Sequence, residues 1–375
     1  MDSRLKDVVL EMAAQALQDA RWEIPSDFLT YTHYLRVVKE LDWNSSPGYP
    51  YCLNCTTNRL FFEVNNLGEP SQLACERVWM IVKERLEQRD ADPVRLFVKP
   101  EPHTEKKLAV GRYRLISSVS VIDQIIDHMI FGAFNKALII NCHYTPIKTG
   151  WTPYCGGWRE VPVSGTVACD KSAWDWTVKP WLIENELLLR QMLCNNLTAQ
   201  WKDLAVWRYS KLFFDNRFVT SGGLVLKQKE PGVMKSGCVN TIASNSLMQL
   251  ILHLRCAVEL NLDLGFLWAM GDDVIQDYQP QEYFDLLSQF CVLKEVTPNV
   301  EFAGFTYYGY RCEPNYKGKH AYNLLHQDER FHNETSDSYA LLYHRSKYRD
   351  AMRNILRDIN HDLPPLSFID RVWSG

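Results

Sequence analysis

The chain lacks an excess of either charge. Its 41 lysines and arginines stand against 45 aspartates and glutamates, a formal balance of −4 over 375 residues. That excludes a generally cationic protein, so any surface for nucleic acid must be local. It also lacks an apolar run suited to crossing a membrane. The longest candidate, 119–140, is interrupted by Asp123, Gln124, Asp127 and His128. It repeats at helical spacing through Ile122, Ile125, Ile126, Met129, Ile130 and Phe134, the pattern of an amphipathic core helix. Internal repeats and low-complexity tracts are missing, which argues against a solenoid or a disordered chain. Cysteine is present at eleven positions but has no regular framework and no preceding signal peptide, so reduced thiols in a cytosol-like compartment are expected. Cys52 and Cys55 form a Cys-x-x-Cys with no second pair or suitably spaced histidine, and a zinc site is not expected.

What is present is 46% hydrophobic residues, enough for a large core distributed over two or three lobes. Residues 2–20 read as an amphipathic helix, 43–51 as a turn-rich loop, and 74–89 as a helix. A strand at 94–98, a basic loop at 99–112 and a strand at 113–118 precede the core helix. The segment 165–170 reads as a strand, 180–195 and 240–260 as helices, 264–278 as a hairpin, 280–291 as a helix and 301–312 as short strands. A last helix spans about 336–361, stopped by Pro364-Pro365. Strands and helices mix without a strict βαβ repeat, which predicts an α+β fold.

Four segments carry chemistry. Met270-Gly271-Asp272-Asp273-Val274-Ile275 has apolar flanks and a glycine suited to a tight two-residue turn, so it reads as a hairpin with acids at its tip, able to hold divalent cations through oxygen. Asp170 and Asp175 stand five apart, an odd offset that separates them on a continuous strand. They converge only if the strand ends near Asp170 and the chain turns helical before Asp175; a helix cap plus a surface acid is the plain alternative. In Lys235-Ser236-Gly237-Cys238-Val239-Asn240-Thr241-Ile242-Ala243-Ser244-Asn245, residues Gly237, Thr241 and Asn245 share a helix face whose hydroxyl and amide groups suit a ribose edge. An ordinary polar helix start is the alternative. From Arg95 to Arg114 there are six cations against two glutamates, a local +4 able to clamp a triphosphate unless it is merely a solvated loop.

In this order the segments resemble the RNA-dependent RNA polymerases of positive-strand RNA viruses, and within them the sobemovirus, polerovirus and sobemo-like invertebrate virus group. The resemblance covers roughly residues 40 to 310. Phe97-Val98-Lys99-Pro100-Glu101-Pro102-His103 and Gly111-Arg112-Tyr113-Arg114-Leu115-Ile116 are similar to that group's nucleotide-entry motif. Ser45-Ser46-Pro47-Gly48-Tyr49-Pro50-Tyr51 is similar to its template-entrance loop. Glu301 to Tyr307 sits where the family has a primer-grip hairpin. Asp170-Lys171-Ser172-Ala173-Trp174-Asp175 departs at Lys171 and Ala173 from the expected Asp-Ile-Ser-Gly-Phe/Trp-Asp.

The resemblance implies a right hand with an antiparallel palm sheet and closed fingers. Fingers would span 1–164 and 178–235, palm 165–177 and 236–310, and a small thumb 311–375. It implies that Asp170 and Asp272 hold two Mg²⁺ or Mn²⁺ ions, with Asp273 assisting. Lys99, Lys106, Lys107, Arg112 and Arg114 would hold the triphosphate, Asp175, Ser236, Gly237, Thr241 and Asn245 would surround the ribose, and Ser46, Gly48 and Pro50 would guide the template. Lys294 is a candidate general acid for pyrophosphate, with a plain surface lysine as the alternative. In the terminal helix, Arg345, Arg349 and Arg353 are expected to meet product-duplex phosphates, opposite an apolar side of Tyr348, Met352, Ile355 and Ile359. The implied partners are template and product RNA, NTPs, a protein primer and other viral replication proteins. The implied location is the host cytoplasm, with any recruitment to replication membranes made by partners.

Other readings predict different features. A reverse transcriptase usually has an aromatic residue before its paired aspartates. A non-catalytic RNA-binding replication subunit predicts a lost metal aspartate. A Mg²⁺-dependent phosphohydrolase needs neither a template-entrance loop nor a set of groups for the 2′-hydroxyl.

Overall fold

Three sheets and the helices packed around them make up the computed structural model, which describes residues 1–162 and 164–375. The central sheet has the order Leu267–Met270, Asp273–Asp277, Thr166–Lys171, Leu293–Thr297, with every neighbour antiparallel. Thr166–Lys171 is buried at every position except Asp170, so one carboxylate opens from an otherwise enclosed strand. Behind this sheet runs the helix Thr241–Glu259. Its Leu247, Leu250, Ile251 and Leu254 are almost fully buried, against the helices Ser3–Ala16 and Pro180–Met192 and the strand Leu267–Met270. Each such leucine contributes about 1.5–3 kcal/mol by leaving water.

A second sheet has the order Leu115–Ser118, Val94–Val98, Arg217–Thr220, Val225–Lys227. Only the Val94–Val98 and Arg217–Thr220 pair is parallel. From its edge the chain enters the helix Val121–Ile140, where the Ser120 hydroxyl caps by accepting the Asp123 N–H at 3.2 Å. The buried Arg208 of the helix Ala199–Tyr209 donates to Asp127 at 2.6 Å and Asp123 at 3.0 Å, locking two helices through a desolvated ion triad. Such charges are tolerated only when paired. The third sheet, Val300–Phe302, Phe305–Tyr308 and Arg311–Pro314, is antiparallel. Its apolar side packs into a second core with Trp151, Trp158, Trp268 and Trp373.

The C-terminal region corrects the expectation of one helix over 336–361. The chain forms His332–Leu342 and Arg349–Arg357, separated by a break. There Glu313 accepts the Ser346 hydroxyl at 2.7 Å and the Lys347 N–H at 2.9 Å, so a carboxylate from the third sheet holds the break open. Pro364-Pro365 does not end the structure. Pro365 precedes a further helix, Leu366–Ser374, whose Trp373 indole donates to Leu341 O at 2.9 Å. The helices Tyr31–Lys39, Ala199–Tyr209 and Lys317–Leu325 and the strand Leu293–Thr297 were not anticipated either.

Candidate active site

The acid hairpin forms as its residues dictate. Met270 pairs with Asp273 across a two-residue turn of Gly271 and Asp272. Gly271 has φ +66° while Asp272 does not enter the left-handed region, which is what a turn with glycine at its first central position requires. Asp272 stands exposed at the tip. Asp273 keeps an open side to solvent, yet its Oδ2 accepts the Ala303 N–H at 3.2 Å. Burial, then the charges of Asp272, Asp170 and Glu301, push its carboxyl up to about 6 against that hydrogen bond.

Asp170 and Asp175 converge by the route their spacing demands. The strand ends at Lys171, Ala173 adopts φ +52°, and the chain turns into the short helix Trp174–Thr177. Ala173 thus occupies a left-handed position that glycine fills without strain. Lys171 is buried on the strand's other side. Asp175 accepts from Asn245 Nδ2 at 2.9 Å, while Asn245 Oδ1 accepts the Trp174 indole N–H at 3.0 Å. Burial raises the Asp175 carboxyl. The Asn245 bond opposes that, Asp272 adds to it and Arg114 opposes it, so all three groups act on one carboxylate.

Lys294 lies on the strand antiparallel to Asp170, and its ammonium hydrogen-bonds the Asp170 carboxylate, which raises the lysine's own pKa. Carboxylate oxygens are the donor set that suits Mg²⁺ or Mn²⁺. Among the described residues, no three acids, histidines or cysteines are drawn close enough to enclose an ion in this conformation. Asp170 is instead turned onto Lys294. Burial and the neighbouring acids both raise Asp273, and a bound cation would offset them, so the residues fit in kind once Asp170 leaves Lys294.

Two of the residues expected at the ribose are bonded within the protein. The Ser236 hydroxyl accepts the Ser117 N–H at 3.1 Å and lies 3.2 Å from the Ser117 hydroxyl. Thr241 Oγ1 bonds the carbonyls of Lys235 at 2.8 Å, Ser236 at 3.3 Å and Cys238 at 2.8 Å. Both hydroxyls are engaged in shaping the loop. Gly237 serves the same end: a Cβ there would stand 2.5 Å from Ser117 O, so only glycine lets the loop dock on the basic segment's second strand. Asp175 and Asn245 remain as the polar pair beside the acid tip.

The basic segment gathers around an acid the sequence reading had passed over. Glu101 takes Lys319 at 2.9 Å, Lys99 at 3.2 Å and Arg114 at 3.7 Å. Burial alone would raise Glu101, but Lys319 and Lys99 bring it down to about 2. Lys106, Lys107 and Arg112 are exposed and have no carboxylate partner among the described residues. In the loop near the helix Val121–Ile140, Gly48 approaches so closely that a Cβ would stand 2.8 Å from Val119 O, and Pro47 O accepts the Val121 N–H at 2.8 Å. Gly48 and the half-buried Pro50 therefore build this loop, and of the three residues expected at the template Ser46 is the exposed one.

The terminal arginines divide. Arg353 is buried and donates to Pro364 O at 3.0 Å, while Ile355 is 51% exposed and Met352 is half-buried against the second core, so the inward face of this helix is turned toward Arg353 and Leu356 from the one its apolar residues suggested. Arg345 lies on the Trp158 ring at 4.0 Å and donates to Tyr310 O. Arg349 is half-buried beside Asp350. Tyr316 also escaped the sequence reading. It is 70% exposed, and its hydroxyl is raised by partial burial and by Asp273, Asp170, Glu301 and Asp272. No local pattern marks it, because the chain returns to the acids only after the third sheet.

An antiparallel sheet bearing acids on a hairpin tip and on the adjoining strand, beside a helix-borne amide and a basic loop, defines the palm of a right-hand nucleic-acid polymerase. The chain belongs to the viral RNA-dependent RNA polymerase family, which it matches over residues 4–306. It is similar to the replicase polyprotein P2AB of Southern cowpea mosaic virus, 32% identical over 64% of this chain, and to that of Cocksfoot mottle virus, 30% identical over 72%. Protein P1-P2 of Pea enation mosaic virus-1 is 27% identical over 89% of this chain. The chain spans 26–30% of the length of these relatives. In fold it is similar to the Sicinivirus 3Dpol RNA dependent RNA polymerase, with TM-score 0.74 and 18% identity over 97% of this chain and 84% of that one.

Proposed function

We propose that this chain performs template-dependent RNA synthesis, transferring nucleotides from NTPs to an RNA 3′-hydroxyl. The observation that carries the reading is the meeting of Asp170, the Asp272-Asp273 tip, the Asp175–Asn245 pair and Arg114 at one place. In each cycle the 3′-oxygen attacks the α-phosphorus, the bond to the β-phosphate breaks, and pyrophosphate departs. Asp170 and Asp272 would hold two Mg²⁺ or Mn²⁺ ions, assisted by Asp273; such ions lower the pKa of the attacking hydroxyl and stabilise the leaving pyrophosphate.

The protein's own groups do the rest. Lys99 and Arg114 hold the triphosphate once it competes with Glu101 for them, and Lys106, Lys107 and Arg112 add positive charge at the entrance. Asp175 and Asn245 read the 2′-hydroxyl. Lys294, released from Asp170 when that acid turns inward, donates a proton to pyrophosphate. Ser46 meets the template, and Arg345 and Arg349 meet RNA phosphates. The central sheet with the helix Thr241–Glu259 is the palm, the second sheet with Val121–Ile140 belongs to the fingers, and the segment after Tyr310 is a small thumb. Lys319 of that thumb reaches Glu101 of the fingers, closing the hand. Template and product RNA, and a protein primer or other replication proteins, are its proposed partners.

The test is primer extension on a heteropolymeric RNA template, with NTPs and dNTPs compared. Preferred dNTP incorporation would support the reverse-transcriptase reading, and no incorporation with intact RNA binding the non-catalytic one.

A further inference from the structure

We propose that Ser246 is a positioning residue that ties the sugar-side helix to the acid turn; this rests on the reading of that turn as catalytic. Ser246 is fully buried, one position after Asn245 on the helix Thr241–Glu259. Its hydroxyl donates to Ile242 O at 2.6 Å and accepts the Gly271 N–H at 2.7 Å. In the hairpin register Met270 faces Asp273, so the Gly271 N–H lies beyond the strand ladder, and Ser246 supplies its partner. The Thr149 hydroxyl stands 3.4 Å from Ser246 Oγ. Because the Ser246 proton is committed to Ile242, Thr149 is the donor in that contact. The main chain beside Thr149 grips the same strand: the Ala269 N–H donates to Pro146 O at 3.0 Å and the Lys148 N–H to Ala269 O at 2.8 Å.

One helix therefore carries, on consecutive residues, the amide bonded to Asp175 and the hydroxyl bonded to the turn that presents Asp272. A shift of that helix when it meets a sugar passes to the acid tip through this hydrogen bond, beside the packing of the helix on Leu267–Met270. Ser246 touches no reacting atom. Its effect runs through the placement of Asp272, and a misplacement of about 1 Å at such a site lowers turnover by up to about 100-fold.

The test compares Ser246→Ala, Thr149→Ala, the double variant and Asp272→Ala by steady-state incorporation, RNA-binding anisotropy and hydrogen exchange. Ser246→Ala is expected to lower kcat about 10- to 100-fold with KM for NTP and RNA affinity within about twofold. Peptides covering 267–277 should exchange faster while the rest of Thr241–Glu259 keeps its protection. Thr149→Ala should lower kcat a few-fold, and the double variant should be no worse than Ser246→Ala, since Thr149 acts only through Ser246. Unchanged kcat and exchange in Ser246→Ala, with Asp272→Ala inactive, overturn the proposal. An active Asp272→Ala overturns the catalytic reading of the turn instead. If Ser246→Ala fails to fold, Thr149→Ala decides: a fall in kcat at constant KM supports the proposal, and wild-type kcat overturns it.

Discussion

Replacing Asn245 with alanine removes two bonds at once, and their consequences separate in experiment. The amide donates to Asp175 at 2.9 Å and accepts from the Trp174 indole at 3.0 Å, with Asn245 itself 4% exposed. The first consequence is structural. The Trp174 N–H stays buried without a partner, which costs about 1–3 kcal/mol and lowers the melting temperature by several degrees. The second is functional. A hydrogen bond to the 2′-hydroxyl worth about 1–1.5 kcal/mol corresponds to a roughly 5- to 12-fold fall in the NTP/dNTP ratio of kcat/KM. A third lies in pH. The Asn245 bond holds Asp175 down against burial, so its loss raises that carboxyl further, and the acid limb of kcat/KM should move to higher pH. The assay is single-nucleotide incorporation with paired NTP and dNTP titrations from pH 5 to 8, beside thermal melts. A variant that melts lower yet keeps its NTP/dNTP ratio would refute the sugar-reading role and leave Asn245 as a core amide.

Three further changes test other parts of the account. Ala173→Gly relieves a left-handed alanine worth about 1–2 kcal/mol of strain and gives back part of it as chain entropy, so urea denaturation should show a net gain of about 0.5–1 kcal/mol; a loss would contradict the strain. Arg208→Ala strands Asp123 and Asp127 in the core and should cost about 3–5 kcal/mol near neutral pH. Burial raises Asp123 to about 6 even beside Arg208, and losing the arginine raises it further, so the deficit should shrink as pH falls toward that value and the stranded carboxyl takes up a proton. Lys294→Leu should lower kcat about 100-fold with NTP KM unchanged and abolish the high-pH limb of the rate profile; an unchanged profile would leave Lys294 as a plain partner of Asp170.

The parts of the site that were legible in the sequence are those fixed by short-range chemistry. Gly271 dictates its own turn, and the five-residue offset from Asp170 to Asp175 works only with a break, which the backbone makes at Ala173. What was not legible depends on where distant segments meet. Thr241 looked like a free hydroxyl because it shares a helix face with Gly237 and Asn245, and Ser236 was placed at the ribose by the resemblance alone. The partners that engage them are a strand over a hundred residues away and the loop's own carbonyls. Nothing near Glu101 in sequence announces that Lys319, more than two hundred residues on, pairs with it. The helix at 349–357 misled in orientation. Its alkyl residues sketch an apolar face, yet Leu356 and the carbonyl held by Arg353 decide which side turns inward. One long helix was expected across 336–361 because periodicity alone does not register a break capped by Glu313 from another sheet.

The central claim is that the Asp272 tip and Asp170 form one catalytic centre for RNA synthesis. It is tested most directly by measuring NMP incorporation on a primed heteropolymeric RNA template with Mg²⁺ or Mn²⁺, comparing the unaltered protein with Asp272→Ala at matched melting temperature and RNA affinity. The account predicts template-directed extension by the unaltered protein and none by the variant. Normal extension by Asp272→Ala would contradict it.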